Sequence, residues 1–214
     1  LKGEADEVAG GFPKTREELF RYRGLILGSV EAAAFSGDQL QMIADFVDRR
    51  GGGLLMLGGM NSFNLGGYKG TPIANLLPVS LEADKVSATF GDAEFGFQIT
   101  KDGAEHEILK LTADPAENSA QWALMPLLKG YNPLYAAKPA ARVLGILSPA
   151  AANPTPIDLS AGVGSRPVIL AVQDVGAGRT AAFASANSWR WKMLRKADDD
   201  TFRRFWSQMI RWLA

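Results

Sequence analysis

Few side chains in these 214 residues could carry covalent or metal chemistry. There is no cysteine and one histidine, His106. Ser62 follows the glycine turn Gly58-Gly59-Met60-Asn61, and a serine nucleophile needs a base, usually histidine, within hydrogen-bond reach. His106 lies in Gly103-Ala104-Glu105-His106-Glu107-Ile108, a context that resembles a turn opening a short helix. The expectation is a turn serine and a surface histidine, not a catalytic pair. Gly58, Gly59, Gly66 and Gly67 form a glycine-rich loop, but Lys69 is followed by Gly70, so the phosphate-loop pattern fails. No glycine triplet at dinucleotide-binding spacing opens a long helix. The loop reads either as tight turns or as a small-ligand or anion pocket at the carboxyl end of a sheet.

Metal chemistry finds little support. One histidine without cysteine argues against zinc. Asp198-Asp199-Asp200 lacks the oxygen spacing of a calcium loop and reads as the acidic start of a helix. Trp189-Arg190-Trp191 is followed by Lys192, Arg195 and Lys196. A cation over tryptophan contributes about 0.5–2 kcal/mol. This stretch is a ligand platform, a partner contact or a clasp between the last strand and the closing helix.

The elements that must position these groups are legible in pattern. Thr15-Arg16-Glu17-Glu18 is a capping box opening a short helix to about Tyr22. Gly24 to Gly28 is an apolar run between glycines, the pattern of a strand buried on both faces. Ser36 with Gln39 forms a second capping box, and Phe35 with Leu40 a hydrophobic staple. Leu40, Ile43, Ala44 and Val47 make one stripe, with Asp38, Gln41, Asp45, Asp48 and Arg49 facing elsewhere. Gly51 stops that helix, and Leu54–Leu57 is a second buried strand. Strand, helix and strand within about 35 residues have the size of a right-handed parallel crossover.

The middle is less regular. Val86–Phe90 and Phe95–Ile99 read as short strands, Lys101-Asp102-Gly103 as a polar turn, and Ala150–Gly164 as an exposed excursion. Val168–Gln173 and Thr180–Ser185 flank Gly176-Ala177-Gly178 as a hairpin. Phe202, Phe205, Trp206, Met209, Ile210 and Leu213 then recur at helical spacing.

Composition bounds the class. Hydrophobic residues make up 47% and charged residues 21%, ordinary for a chain with a real core. Basic and acidic residues number 23 each, so no basic excess points to nucleic acid. No stretch reaches the roughly 18 apolar residues needed to cross a bilayer. The chain begins at Leu1 without a methionine or apolar signal segment, which suits a mature product or a piece of a longer chain. Cytoplasm and periplasm both suit a cysteine-free chain.

The order of motifs resembles the glutamine-amidotransferase-like family of the class I, flavodoxin-like superfamily, related to trehalose-utilisation-type proteins. The resemblance runs through Gly11-Phe12-Pro13, Tyr22–Val30, Phe35–Leu40, Gly51–Gly59, Ser62-Phe63 and Gly66-Gly67-Tyr68. It continues through Gly178–Phe183, Ser188-Trp189-Arg190-Trp191, Phe205-Trp206 and Arg211-Trp212-Leu213. It implies an α/β fold: a flavodoxin-like three-layer parallel sheet with helices on both faces. A β-rich insertion would occupy about residues 80–165 of a single domain, 1–214. The first strand of such a sheet is not visible before Tyr22 and would lie upstream. Active members of the superfamily carry a cysteine after the strand matching Leu54–Leu57, and a histidine and a glutamate after the late strand. Here the first site reads Gly58-Gly59-Met60 and the second Ala186-Asn187-Ser188-Trp189. The resemblance therefore implies a catalytically silent domain, a binding or scaffolding module within a larger bacterial protein. That parent would carry membrane-spanning or von Willebrand-type segments, although this chain would not itself insert. The degenerate pocket would be lined by Gly28, Ser29, Gly58, Gly59, Ser62 and Trp189, with no catalytic residue, metal or cofactor. It would receive a small ligand or a protein partner. The rival expectation is a hydrolase or amidotransferase with an unrecognised nucleophile. The trehalose-utilisation likeness alone adds a carbohydrate-related role.

Overall fold

A computed structural model of the protein describes residues 11–81, 89–150 and 166–214. The first helix, α1 (Arg16–Leu19), is held by the expected capping box: the Thr15 hydroxyl accepts from the Glu18 amide, and the Glu18 carboxylate accepts from the Thr15 amide. Strand β1 (Gly24–Gly28) follows, then a single 3-10 turn at Ala32–Ala34. Helix α2 (Gly37–Asp48) starts at the Ser36/Gln39 box, with bonds of 2.9 and 3.2 Å. Its stripe buries Ile43, Phe46 and Val47 completely. Asp45 does not face solvent as its place in the pattern suggested. It is 4% exposed, paired with the Arg16 guanidinium of α1 and bonded to the Gln41 amide at 3.2 Å. A buried carboxylate persists where cationic and hydrogen-bond partners reach it, and here they clasp α1 onto α2.

Gly51, at φ +85°, ends the crossover helix and delivers the chain to β2 (Gly53–Leu57). The remaining elements are α3 (Pro72–Leu76), β3 (Gly91–Ile99), α4 (Lys101–Glu105), α5 (Pro115–Ala123) and β4 (Leu128–Tyr131). They continue through β5 (Arg142–Pro149), β6 (Val168–Val175), β7 (Gly178–Phe183), α6 (Arg190–Met193) and α7 (Thr201–Leu213). The described strands form one seven-stranded sheet, in the order β1-β2-β7-β6-β5-β3-β4. β1, β2 and β7 run parallel, with Leu25 opposite Leu54 and Leu54 opposite Thr180. The other four strands are antiparallel to their neighbours. The sheet is thus mixed, with its parallel part at the β1 side. A two-residue connection between β6 and β7 forces reversal there, because only a longer crossover returns a strand parallel.

Both faces are covered. On β7, Thr180 donates its hydroxyl to Leu76 O at the end of α3, while Phe183 faces the rings of Trp191, Phe205 and Trp206 from α6 and α7. Phe97 and Trp122 join the second group, 5.2 Å apart, to make an aromatic core.

Several expectations change. β1 is not buried on both faces: it lies at the edge of the described sheet, and Ile26 is 46% exposed. The stretch at Lys101–Gly103 is not a bare turn but the start of α4, because the Thr100 hydroxyl accepts from the Gly103 amide at 3.0 Å. Phe95–Ile99 is the inner end of β3, as expected. Most of the Val86–Phe90 strand and nearly all of the Ala150–Gly164 excursion lie outside the described residues.

Candidate functional site

The parallel strands end together at Gly28, Leu57 and Phe183, so the loops that follow them share one edge of the sheet. This is where ligands bind in open α/β sheets. The turn after β2 is rigid. Asn132, 2% exposed, brackets Gly59: its side-chain oxygen accepts from Gly59 N–H at 2.8 Å and its amide donates to Gly59 O at 3.1 Å. The Asn132 backbone N–H in turn donates to Ala184 O after β7 at 2.9 Å. Asn132 therefore ties the end of β2 to the end of β7 from a point 73 residues away in sequence. No local spacing announced it; the Asn132-Pro133 pair signals only a turn.

Glycine is required at two places here. A Cβ at Gly58 would lie 2.2 Å from Ala184 O, and one at Gly59, where φ is +153°, would lie 2.6 Å from Ser29 Oγ. Ser29, following β1, adopts φ 51°, a left-handed conformation uncommon outside glycine, and its side chain is exposed. Its hydroxyl accepts weakly from Asn61 N–H at 3.4 Å. The loop after β1 is pinned further by Tyr68, whose hydroxyl donates to Val30 O at 2.8 Å. Burial raises the Tyr68 phenol to about 12, so it stays protonated and donates at any ordinary pH.

The third loop is equally tied. Ser185 donates its hydroxyl to Gly130 O at 2.8 Å, and the Asn187 side-chain amide donates to Lys129 O. Trp189 is half exposed, with its indole N–H held by the Asn187 side-chain oxygen at 2.8 Å. Met60, at the tip of the middle loop, is 71% exposed.

Of the expected pocket residues, Ser29, Gly58 and Gly59 sit in contact, with Gly28 adjoining them. Trp189 lies beyond them along the same edge, across Asn132 and Ser185. Ser62 differs: it is 1% exposed, its N–H donating to Gly59 O and its C=O accepting from Gly66 N–H. It is a structural turn residue with its hydroxyl turned away from solvent.

The expectation of a surface histidine is corrected. His106 is 5% exposed, its ring edge-to-face with Trp212 at 5.6 Å, and its Nδ1 accepts from Ile108 N–H at 3.3 Å. Burial, helped by Arg142, lowers its pKa to about 4, against weaker raising from Glu107 and Asp174. Trp212 belongs to the end of α7, and the adjoining Leu213 carbonyl would lie 2.2 Å from a Cβ on Gly53, at the start of β2. Ser62 follows the other end of that strand. Five residues of strand separate the two groups by roughly 15 Å or more, so the only histidine cannot serve Ser62.

The Trp189–Trp191 stretch divides by residue. Trp191 is fully buried, its indole donating to Pro126 O at 3.1 Å. Arg190 does not stack on tryptophan; it bonds Leu127 O at 2.9 Å and the Glu94 carboxylate at 2.6 Å. The described cation–π pairs lie elsewhere, Arg50 over Phe46 and Arg179 over Trp212. The acidic run before α7 is neutralised by its own neighbours. Asp200 pairs with Arg203 and Arg204 at 3.1 Å, and Asp199 with Arg195 at 2.7 Å. Burial opposes ionisation of Asp199, but the Thr201 N–H and the Arg195 guanidinium outweigh it and hold the carboxyl below its usual range. A polar cleft of about 310 Å³ opens beside this run, bordered by Thr112, Gln121 and Lys196. No group of three or more potential metal ligands occurs among the described residues, and no described helix is long and apolar enough to cross a membrane.

Comparison with known proteins gives the family. Two proteins from Salmonella typhimurium share the architecture. Cytoplasmic protein STM3548 superposes with TM-score 0.68 at 21% identity, over 95% of this chain and 76% of its own. Cytoplasmic protein STM1381 superposes with TM-score 0.68 at 25% identity, over 94% of this chain and 76% of its own. A β-galactosidase from Rahnella sp. R3 shares the fold over 23% of its length, with TM-score 0.50 and 12% identity. No curated protein matches the chain. Residues 3–214 match the family described as "Putative glutamine amidotransferase", and the chain therefore belongs to this glutamine-amidotransferase-like family.

Proposed function

We propose that the protein is a catalytically silent member of its family, a binding or scaffolding module within a larger bacterial protein. The observation that carries this reading is the clamp on the turn after β2. Where active members of the superfamily are expected to present a cysteine, this chain has Gly58-Gly59-Met60, with Gly59 held through both its amide and its carbonyl by buried Asn132. Glutamine hydrolysis by a thiolate needs a polarisable sulfur and a neighbouring base. Sulfur is present there only as the thioether of Met60, and the sole imidazole is buried at the other end of the sheet. The edge formed by Gly28, Ser29, Gly58, Gly59 and Trp189 offers an exposed hydroxyl and a half-exposed indole, groups suited to non-covalent recognition of a small polar ligand or a partner loop. Ser62 contributes to this edge by shaping the turn.

The test is ammonia release from L-glutamine by the pure protein. The expected rate equals the buffer blank; release well above it overturns the reading. A second reading, hydrolysis through an unrecognised nucleophile, is favoured by one observation: the left-handed backbone and exposed hydroxyl of Ser29 at a strand end, the geometry of a nucleophile on a strained turn. A fluorophosphonate probe distinguishes the two. A silent module is left unlabelled, whereas labelling lost in Ser29→Ala would establish the second reading.

A further inference from the structure

Resting on the non-covalent reading of the carboxyl edge, we propose that Trp189 forms a saccharide-binding shelf there, its exposed indole face stacking on the C–H face of a neutral sugar ring. Three features of the shelf point to that ligand.

The first is the ring itself. Of the five tryptophans, Trp122, Trp191, Trp206 and Trp212 each pack against another ring. Trp189 has no ring partner among the described residues and is 50% exposed. Aromatic faces contribute most when another flat or apolar surface covers them, so an open and fixed indole is suited to stacking.

The second is how the ring is held. The indole N–H donates to Asn187 Oδ1 at 2.8 Å, Asn187 Nδ2 donates to Lys129 O, and the Asn187 backbone N–H donates to Ser185 Oγ at 3.3 Å. Both ends of the Asn187 amide are engaged, so it holds the indole in place. Phe90 closes the same corner. A Cβ on Gly130 would lie 2.8 Å from the Phe90 ring and 3.4 Å from Asn187 Nδ2, so glycine there lets ring and amide settle on one stretch of backbone. The shelf is set before a ligand arrives, which lowers the ordering cost of binding. An extended peptide brings backbone carbonyls that need donors, and the indole N–H is already committed. What Trp189 offers is its π face.

The third is charge. Arg190, next in the chain to Trp189, is matched by Glu94 at 2.6 Å, and Lys129, whose carbonyl Asn187 bonds, is matched by Asp92 at 3.7 Å. A nucleobase also stacks on tryptophan, but nucleic acid brings phosphates that need uncompensated cations. A neutral sugar does not. One face of a pyranose presents C–H groups to a ring, and its hydroxyl rim bonds to water and to neutral polar side chains. The exposed Ser29 hydroxyl, on the same edge, is a partner of that kind.

The probes are maltohexaose, cellohexaose and mannohexaose, titrated at millimolar concentration against the full chain and followed by saturation-transfer difference NMR. At least one should receive saturation on its ring C–H protons and shift the Trp189 indole N–H signal, which is identified by its loss in Trp189→Phe. Trp189→Ala should weaken that binding about tenfold or more, and Trp189→Phe, which keeps a smaller face, by less. Asn187→Ala should also weaken it while leaving far-ultraviolet circular dichroism unchanged, because the indole is then free to turn. Binding of none of these sugars, or binding that survives Trp189→Ala, would overturn the proposal. So would engagement of Trp189 by decaproline or a single-stranded oligonucleotide in preference to every sugar. Unchanged affinity in Asn187→Ala would overturn the preset geometry of the shelf. Failure of the sugars leaves the silent reading standing, whereas ammonia release from glutamine overturns that reading and leaves sugar binding untouched.

Discussion

At the scale of single residues, the end of β2 is organised by mutual obstruction. Ser29 occupies a left-handed conformation directly after β1. In doing so it places Oγ where a side chain on residue 59 would go. The two positions are therefore coupled. Gly59→Ala should cost about 2–3 kcal/mol, combining overpacking with strain at a conformation that L side chains rarely adopt. Ser29→Gly should be near neutral, since glycine takes the left-handed conformation readily. Combined with Ser29→Gly, the alanine at position 59 should cost less than it does alone. Urea denaturation of the four proteins in a double-mutant cycle measures the coupling. Additivity within about 0.3 kcal/mol would show that the Ser29 side chain does not set the constraint. Asn132 works at the same scale through hydrogen bonds: it satisfies a buried amide and carbonyl that water cannot reach.

At the scale of elements, α6 explains why tryptophan and arginine stand together after the last strand. The helix has one turn and cannot be stable by itself. It is held because Trp191 fills the space between sheet and α7, with Phe97, Trp122 and Phe205 rings at 5.3–5.6 Å, and because Arg190 reaches back to Leu127 and Glu94. Trp191→Ala should destabilise by about 3–5 kcal/mol, the range for emptying a large aromatic site. Its near-ultraviolet circular dichroism should fall by more than one tryptophan's share, because the surrounding rings lose their fixed packing. Trp189→Ala, on the same helical turn but half exposed, should change stability by under about 1 kcal/mol. Equal losses at the two positions would contradict this division. The clasp between last strand and closing helix was legible from the sequence; which tryptophan serves it was not. Trp189 and Trp191 differ in burial only because the turn between β7 and α6 rotates one inward.

At the scale of the molecule, the two ends of the sheet have separate roles. The carboxyl end of the parallel strands carries exposed loops, while the amino end is closed by α7 and the short turn around His106. That closure makes stability sensitive to acid. His106 in the folded chain has a pKa of about 4, below its ordinary 6.5, so the unfolded chain binds the proton first. Stability should be complete above pH 6.5 and fall as pH drops toward 4, by up to about 3 kcal/mol. His106→Asn keeps an acceptor for Ile108 N–H but does not titrate. Chemical denaturation between pH 4 and 7 should therefore show a shallower decline in this variant. An unchanged decline would assign the acid sensitivity to other groups.

Pattern alone determined the crossover from β1 through α2 to β2, the β6–β7 hairpin and both capping boxes. These depend on neighbours a few residues apart, where backbone sterics, local hydrogen bonds and amphipathic spacing act directly. The missing cysteine was equally plain. Tertiary structure alone decided that β1 lies at the edge of the described sheet, that Asp45 and His106 are buried, that Ser62 turns inward, and that Asn132 holds Gly59. Each of these depends on which distant segment arrives beside the residue. Burial and hydrogen-bond partnership belong to the packed molecule and leave no periodic mark on the chain.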